Sequence, residues 1–163
     1  MITIGIRVQS NSKIFYTIID KDETTGKTAY ITIDCLIIPL CLAKPERFNF
    51  IRNTLLDIFE QYSVTRAAIK NSEYSRFALK KNEIERIYIE GVIQECLAGS
   101  KIDKFISGRG EKLGKSLGVD KTQFSQLTAG SKDFTHPPKD SDWKRLNDEE
   151  RDSILAAFAI ANV

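Results

Sequence analysis

The sequence predicts an α/β fold in which a five-stranded mixed sheet, three antiparallel strands followed by two parallel strands, is flanked by helices. Two observations lead to this prediction. Short polar turns separate the first three strand-like segments, whereas helix-like segments precede each of the last two. Because strands joined by a helical crossover run parallel, the order β-β-β-α-β-α-β-α also sets the direction of each strand.

The first three strands have the clearest pattern. Residues 2–9 alternate between branched apolar side chains (Ile2, Ile4, Ile6 and Val8) and small or polar ones, which is the period of a strand. The segments KIFYTIID and KTAYITIDCLII follow, after the turn-like segments QSNS and KDETTG. Three consecutive strands with such short connections are typical of an antiparallel meander.

Two helices and two further strands are expected next. Pro45 begins a helix, because proline fits a first helical turn, and VTRAAIKNS follows as the fourth strand. A second helix begins near Asn82, a suitable N-cap, and ends at Gly99. The segment KIDKFIS is then the fifth strand, which arrives by a crossover and therefore runs parallel to the fourth.

The C-terminal part is predicted to be helical. One or two short helices are expected between Arg109 and Gly130, interrupted at Gly118, and the proline-containing segment SKDFTHPPKDSDW is expected to be a loop. Asn147 caps a last helix with an acidic first turn. Since no linker divides the chain, residues 1–163 are expected to form a single domain.

The stretch SGRGEKLGKSLG, residues 107–118, superficially resembles a phosphate-binding P-loop. In that motif a glycine lies five residues before the Gly-Lys-Ser, and here this position is Arg109. Gly108 and Gly110 each miss the position by one residue, so the P-loop spacing is absent. The better interpretation is a solvated loop whose glycines supply positive φ angles.

The overall charge does not by itself indicate a nucleic-acid-binding protein. The formal net charge is only +2, but two windows, 66–86 and 101–121, each contain six basic and three acidic residues. A charged window is more often a solvated face than a binding surface. The only histidine, His136, lies beside two prolines and is interpreted as an exposed loop residue rather than a general base.

Composition also suggests where the protein resides. The three cysteines (Cys35, Cys41 and Cys96) lack metal-ligand spacing and are interpreted as buried thiols in a reducing compartment. The N-terminus lacks the pattern of a signal peptide, and the longest apolar run, CLIIPLCLA, is too short to span a bilayer. We therefore expect a cytoplasmic protein without a membrane partner.

Several segments together resemble the RuvC-type branch of the ribonuclease H-like superfamily, which contains Holliday-junction resolvases. ITIGIRVQS resembles its first strand, AAIKNSEYS its fourth strand, IYIEGVIQECLA the following helix and RDSILAAFAIA its final helix. The resemblance follows the chain in order over nearly its whole length. It implies a ribonuclease H-like fold and an ancestry among nucleases.

The resemblance also implies positions for a metal site. Nucleases of this type hold two divalent ions with carboxylates from the first strand, the fourth strand and the last helix. These positions fall on Arg7, on Lys70, and on Glu149 and Asp152. Arginine and lysine offer no lone pair to a metal, so we expect a degenerate site, with no metal and no other cofactor.

We expect the two cations to pair with the remaining carboxylates in an internal cluster. Asp152 shares a helical face with small apolar residues and is expected to point inward, where it needs a partner. The simpler alternatives remain open. Glu149 could serve only the helix dipole, Arg7 could be a polar strand end, and Lys70 could be an exposed lysine.

The favoured hypothesis is a catalytically inactive module that binds DNA, RNA or a protein partner. Replacing carboxylates with cations removes cleavage while making the same face attractive to phosphate. Tyr74 and Phe77 could stack on bases, although packing beneath their loop is the more common role. The candidate binding residues are Arg7, Lys70, Arg76, Lys80, Lys81, Arg109, Lys112 and Lys115.

Two other hypotheses are kept. A diverged metal-dependent nuclease could use relocated carboxylates, for which Asp20, Asp34, Glu73 and Glu90 are candidates. Alternatively, the fold could serve only as an interaction scaffold, for example as a homodimer formed through the helix at residues 82–98. Whether the chain is an enzyme is left undecided, with the charge inversion favouring no activity.

Overall fold

The computed structural model of the protein describes residues 1–73, 80–138 and 142–163. Within these ranges five strands form one sheet in the order β3-β2-β1-β4-β5. Neighbours β1, β2 and β3 are antiparallel, whereas β1, β4 and β5 are parallel, which confirms the expected mixed sheet. The strands are β1 (Ile2–Val8), β2 (Lys13–Lys21), β3 (Thr28–Ile37), β4 (Arg66–Lys70) and β5 (Lys104–Gly108).

Helices cover both faces of the sheet. The helices are α1 (Lys44–Gln61), α2 (Lys81–Ala98), α3 (Gly110–Leu117), α4 (Lys121–Thr128) and α5 (Asp148–Ala161), with a short 3-10 turn at Trp143–Arg145. One apolar core lies between the sheet and α1 and α2, and a second lies between the sheet and α3, α4 and α5. The core is therefore divided by the sheet, as in other three-layer α/β folds.

The central strand β1 is covered on both faces, so both sets of its alternating side chains are buried. Ile4 belongs to the core beneath α1 and α2. On the opposite face, a Cβ at Gly5 would overlap the backbone of Ser153 and Ala157, so glycine permits the close packing of α5. The Thr3 hydroxyl donates to the Ala157 carbonyl at 3.3 Å. This close contact positions the first turns of α5 beside the end of β1.

Helix boundaries largely follow the sequence pattern. As expected, Pro45 lies in the first turn of α1, and the Asn147 side chain accepts the backbone N–H of Glu150 at 2.8 Å. The expectation that Asn82 caps α2 is wrong. The helix begins one residue earlier, and the capping position is Lys80, whose backbone N–H donates to the Glu83 carboxylate at 2.7 Å.

The short helices expected between Arg109 and Gly130, interrupted at Gly118, are confirmed as α3 and α4, so the glycine-rich segment is not a solvated loop. It forms the end of β5 and then α3, and Gly118 alone among its four glycines has a positive φ, +71°, where it ends the helix. Gly114 and Gly110 lie within α3, and a Cβ at Gly110 would lie 2.8 Å from the Phe124 ring. Here glycine serves the packing of α4 against α3, which a loop interpretation overlooks.

The cysteines differ in exposure from the expectation. Cys96 is buried, and burial raises the pKa of its thiol to about 11. Cys35 is only half-buried and Cys41 is exposed, so the prediction of three buried thiols is wrong for these two. The helices that the structure describes include none long and apolar enough to cross a membrane.

Candidate functional site

Two cations lie side by side where the parallel strands β1 and β4 end. Arg7 and Lys70 are register partners, because neighbouring parallel strands end at the same edge of the sheet. The Arg7 Nη1 donates to the Lys70 carbonyl at 3.2 Å and to the Ser72 hydroxyl at 3.3 Å. This proximity agrees with the expectation from the sequence.

Asp152 approaches the pair from the second turn of α5. It is almost fully buried, its Oδ2 lies 3.2 Å from the Arg7 Nε, and its Oδ1 accepts the Thr128 hydroxyl at 2.8 Å. Burial raises the pKa of Asp152, although the positive charges of Lys70 and Arg7 oppose the rise. The carboxylate therefore depends on its cationic neighbours to remain ionised.

Lys70 is buried, with 4% of its surface exposed, so it is not the exposed lysine of the simpler alternative. Its Nζ donates to the Asn71 carbonyl at 3.1 Å and to the Glu73 Oε1 at 3.4 Å. Burial lowers the pKa of Lys70, Asp152 counteracts the change, and Arg7 adds to it. Two cations are thus held close together by carboxylates on either side.

The second carboxylate of the cluster is Glu73, not Glu149. Glu149 is half-buried and forms no ion pair with the described residues. Burial alone would raise the pKa of Glu73, but Lys70, the Gly110 backbone N–H and Lys121 outweigh burial and lower it. The expected pairing of cations with carboxylates is therefore present with a different acidic partner for Lys70.

The cluster lines a surface cavity of about 310 Å³. One wall is a face of α4, on which Lys121, Ser125 and Thr128 lie at helical spacing. Lys121 is exposed and forms no ion pair with the residues that the structure describes. The ionisable lining residues are Arg7, Lys70, Arg86, Lys121, Glu73 and Asp152. Among the described lining residues, cations therefore outnumber carboxylates.

The other described members of the predicted basic surface are not part of the cavity lining. Lys112 is exposed and donates to the Ser107 carbonyl at 2.9 Å, and Lys115 lies 3.2 Å from the Glu111 carboxylate. The exposed residues Lys80, Lys81 and Arg109 lie at the N-terminal ends of α2 and α3. Arg76, together with Tyr74 and Phe77, lies outside the described residues.

Sequence reasoning missed three contributors to the site: Ser72, Lys121 and Thr128. A signal for the latter two was present, since Lys121, Ser125 and Thr128 follow the spacing of one helical face. The pattern becomes informative only when α4 is placed beside Asp152. No comparable signal marks Ser72, because its contact with Arg7 depends on the direction that the chain takes after β4.

The cluster does not suit the two divalent ions of RuvC-type nucleases. Guanidinium and ammonium groups occupy the two strand ends, and neither can donate a lone pair to a metal. Of the four candidates for relocated ligands, Glu73 lines the cavity and the other three do not. Asp20 contacts the N-terminal amine at 3.0 Å, Asp34 accepts the Tyr16 hydroxyl, and Glu90 accepts the Ser72 N–H. Within residues 1–73, 80–138 and 142–163, no group of three acidic, histidine or cysteine side chains could hold a metal.

Solved structures of similar fold include Holliday-junction resolvases. Thermus thermophilus RuvC aligns with a TM-score of 0.68 at 12% identity, and its complex with a Holliday-junction substrate aligns with 0.67. Both alignments cover 99% of this chain and 94% of RuvC. The yeast mitochondrial resolvase aligns with a TM-score of 0.58 at 13% identity, covering 98% of this chain and 77% of the other.

A resolvase from fowlpox virus, solved with junction DNA, aligns with a TM-score of 0.52 at 15% identity, over 96% of this chain and 94% of the other. No family model and no curated protein matches the sequence. The strand order, the helices on both faces and these alignments agree along almost the whole chain. The protein therefore has the RuvC-like form of the ribonuclease H-like fold.

Proposed function

We propose that this protein is an inactive RuvC-like module that binds nucleic acid without cleaving it. The observation that carries the proposal is the Arg7–Lys70 pair at the ends of β1 and β4. These two strand ends correspond, by resemblance, to carboxylate positions of the nucleases. A cation at each position removes metal ligands and favours contact with phosphate.

The chemistry of the cavity suits phosphate contacts of moderate strength. Arg7 and Lys70 are partly neutralised by Asp152 and Glu73, so their main contribution is a fixed positive potential at the base of the cavity. Lys121 at the rim, having no ion pair with a described residue, is the side chain most available to a phosphate. Binding should therefore weaken steeply as salt is added.

Fluorescence anisotropy with labelled four-way-junction, duplex and single-stranded DNA, and single-stranded RNA, would test the proposal across a salt series. We expect salt-dependent binding of at least one of these nucleic acids and no cleavage of any with Mg²⁺ or Mn²⁺. Lys121→Glu should weaken binding and reduce the salt slope by about one. Lys101→Glu is the matched control, because Lys101 is also exposed but precedes β5 at the other end of the sheet.

Each outcome of this experiment is informative. Absence of salt-dependent binding to all four nucleic acids would contradict the proposal. Metal-dependent cleavage by the purified protein, lost on addition of EDTA, would instead support the nuclease with relocated carboxylates. Equal effects of Lys121→Glu and Lys101→Glu would show that binding occurs away from the cavity.

A homodimer through α2 is a second proposal with its own observation. Ile84, Ile87 and Tyr88 lie on one face of this helix and are 37%, 37% and 48% exposed. A second copy of the chain could cover this apolar face. Light scattering over a concentration series should detect a dimer that Ile87→Glu disrupts, whereas Lys101→Glu, at an exposed residue outside α2, should leave it intact.

A further inference from the structure

A second cavity, of about 700 Å³, lies between the β2–β3 hairpin and the segment that joins α4 to α5; we call it the hairpin cavity. Lys21 and Lys27 line it from the hairpin, and Phe158 lines it from α5. It lies beside Lys21, the last residue of β2, whose backbone N–H donates to the Met1 carbonyl just before β1 begins. Arg7 lies near the opposite end of β1. The hairpin cavity is therefore separate from the site described above.

Aromatic rings form one wall of the hairpin cavity. The exposed His136 ring is parallel to Phe158, with centroids 5.6 Å apart and an interplanar angle of 7°. Phe134 packs edge-on against both, at 5.9 Å from His136 and 5.0 Å from Phe158. The Tyr30 hydroxyl donates to the His136 carbonyl at 2.6 Å. The imidazole is thus a flat, supported surface against which another ring could stack.

The same cavity carries an excess of positive charge. Lys27 and Lys132 are exposed and form no ion pair with the described residues. The Lys21 Nζ donates to the Ala161 carbonyl and to the Asn162 side-chain oxygen, both at 2.9 Å, and both acceptors are neutral. Asp133 is the acidic side chain among the described lining residues. An anionic ligand would therefore be attracted to this cavity.

We propose that the hairpin cavity binds a nucleotide, with its base against the His136 ring and its phosphate near Lys27 and Lys132. A volume of about 700 Å³ lies within the range of small-molecule sites, which combine apolar walls with a few polar groups. Base–aromatic stacking beside lysines is a recurrent way of binding an unpaired nucleotide. The nucleotide is either free or an unpaired residue of a strand, and this site does not depend on the Arg7–Lys70 cavity.

The single histidine of the chain provides a direct probe. In an NMR titration at constant pH, deoxyadenosine monophosphate should shift the His136 imidazole resonances upfield in a saturable manner, because a stacked base imposes a ring-current shift. Deoxyadenosine, which lacks the phosphate, should bind more weakly. Inorganic phosphate should produce no ring-current shift.

Charge variants test the other half of the proposal. Lys132→Glu should weaken binding of the nucleotide about fivefold, because it replaces an attraction with a repulsion near the phosphate. Lys101→Glu makes the same change of charge on an exposed lysine outside the hairpin cavity and should leave the affinity unchanged. Thermal unfolding of both variants would verify that each remains folded.

A short oligo-deoxyadenylate distinguishes the two sources of the nucleotide. A saturable shift of the His136 resonances on addition of the mononucleotide would show that a free nucleotide is sufficient for binding. A shift seen only with the oligonucleotide, and weakened by Lys132→Glu, would identify a nucleotide within a strand. Absence of a saturable shift with both probes, or equal weakening by the two lysine variants, would overturn the proposal.

Discussion

Two arginines near the start of α5, the buried Arg151 and the partly buried Arg7, have different surroundings. The side chains of Arg151 and Arg7 are 6% and 12% exposed, and each lies beside an aspartate, Asp148 and Asp152 respectively. Thr128 is linked to both arginines. Its carbonyl accepts a hydrogen bond from Arg151, and its hydroxyl donates to Asp152, the ion-pair partner of Arg7. Their remaining contacts distinguish a cation that ties backbone segments together from one that lines a cavity.

Arg151 joins three separate pieces of backbone. Its guanidinium donates to the carbonyls of Thr128, Trp143 and Leu146, and to the Asp148 carboxylate. Thr128 ends α4, Trp143 begins the 3-10 turn and Leu146 follows it. Carbonyls at helix ends need partners from outside the helix. Arg151 therefore fastens the segment between α4 and α5, and it is not among the described residues that line either cavity above.

Arg7 has fewer backbone contacts and lines the cavity of about 310 Å³. It pairs with Asp152 and donates to one carbonyl and one hydroxyl. Its position beside a second cation, the buried Lys70, is unfavourable for folding alone, since like charges repel in a region of low dielectric constant. The comparison teaches that an energetically costly cation at a cavity is better explained by binding than by stability.

The largest effect is expected from Arg151→Ala. Its removal would leave several buried carbonyls without a donor, so the free energy of unfolding should fall by about 3–5 kcal/mol. Urea denaturation measures this change, and Arg145→Ala, at an exposed arginine in the 3-10 turn, is the control. A loss below about 1 kcal/mol would contradict the structural role given to Arg151.

Arg7→Met is expected to destabilise the protein by about 3 kcal/mol, because Asp152 would remain buried without its ion-pair partner. Asp152→Asn keeps an acceptor for the Thr128 hydroxyl and removes the charge. The double variant should therefore lose less stability than the sum of the single variants, which denaturant unfolding of all four proteins would measure. Strict additivity would show that the two side chains are not coupled.

The double change Arg7→Asp and Lys70→Glu should create a response to metal. Two added carboxylates would join Asp152 and Glu73, and saturating Mg²⁺ or Mn²⁺ should stabilise this variant by about 1–3 kcal/mol. Thermal-shift measurements would follow the response. The melting temperatures of the wild type and of the neutral double variant Arg7→Asn/Lys70→Gln should not change with metal. Clear stabilisation of the wild type by metal would contradict the interpretation that cations have replaced the metal ligands.

The smallest change in stability is expected from Lys121→Glu, which alters the free energy of unfolding by less than about 0.5 kcal/mol because the side chain is exposed. Chemical denaturation beside Lys101→Glu would measure it. Since the same variant should weaken nucleic-acid binding, it tests binding separately from stability, which substitution of Arg7 would alter together. A large loss of stability would make Lys121 unsuitable as evidence for a binding surface.

Much of the fold follows from local patterns that the sequence displays. Alternation in β1, the short turns of the meander, Pro45 in α1 and the Asn147 cap each depend on neighbouring residues. The adjacency of Arg7 and Lys70 could also be inferred, because the strand order and the parallel direction bring their strand ends together. These predictions concern contacts that short segments or topology impose.

The errors and omissions share a different cause. The glycine content of residues 107–118 favours a solvated loop, but Gly110 lies in α3, where it admits the Phe124 ring. Glu73 replaced Glu149 as the partner of Lys70 because the chain after β4 turns back toward the N-terminus of α3. Such contacts depend on how elements pack, and spacing along the chain does not encode them.

The sequence by itself determined the order of elements, the cations at the two strand ends and the inward direction of Asp152, since periodicity and residue chemistry act locally. Tertiary structure alone decided which carboxylate meets each cation, that α4 contributes Lys121 and Thr128, and that His136 stacks beside Phe158. The physical reason is that burial and pairing arise between segments far apart in the chain, where small differences in packing select one partner over another.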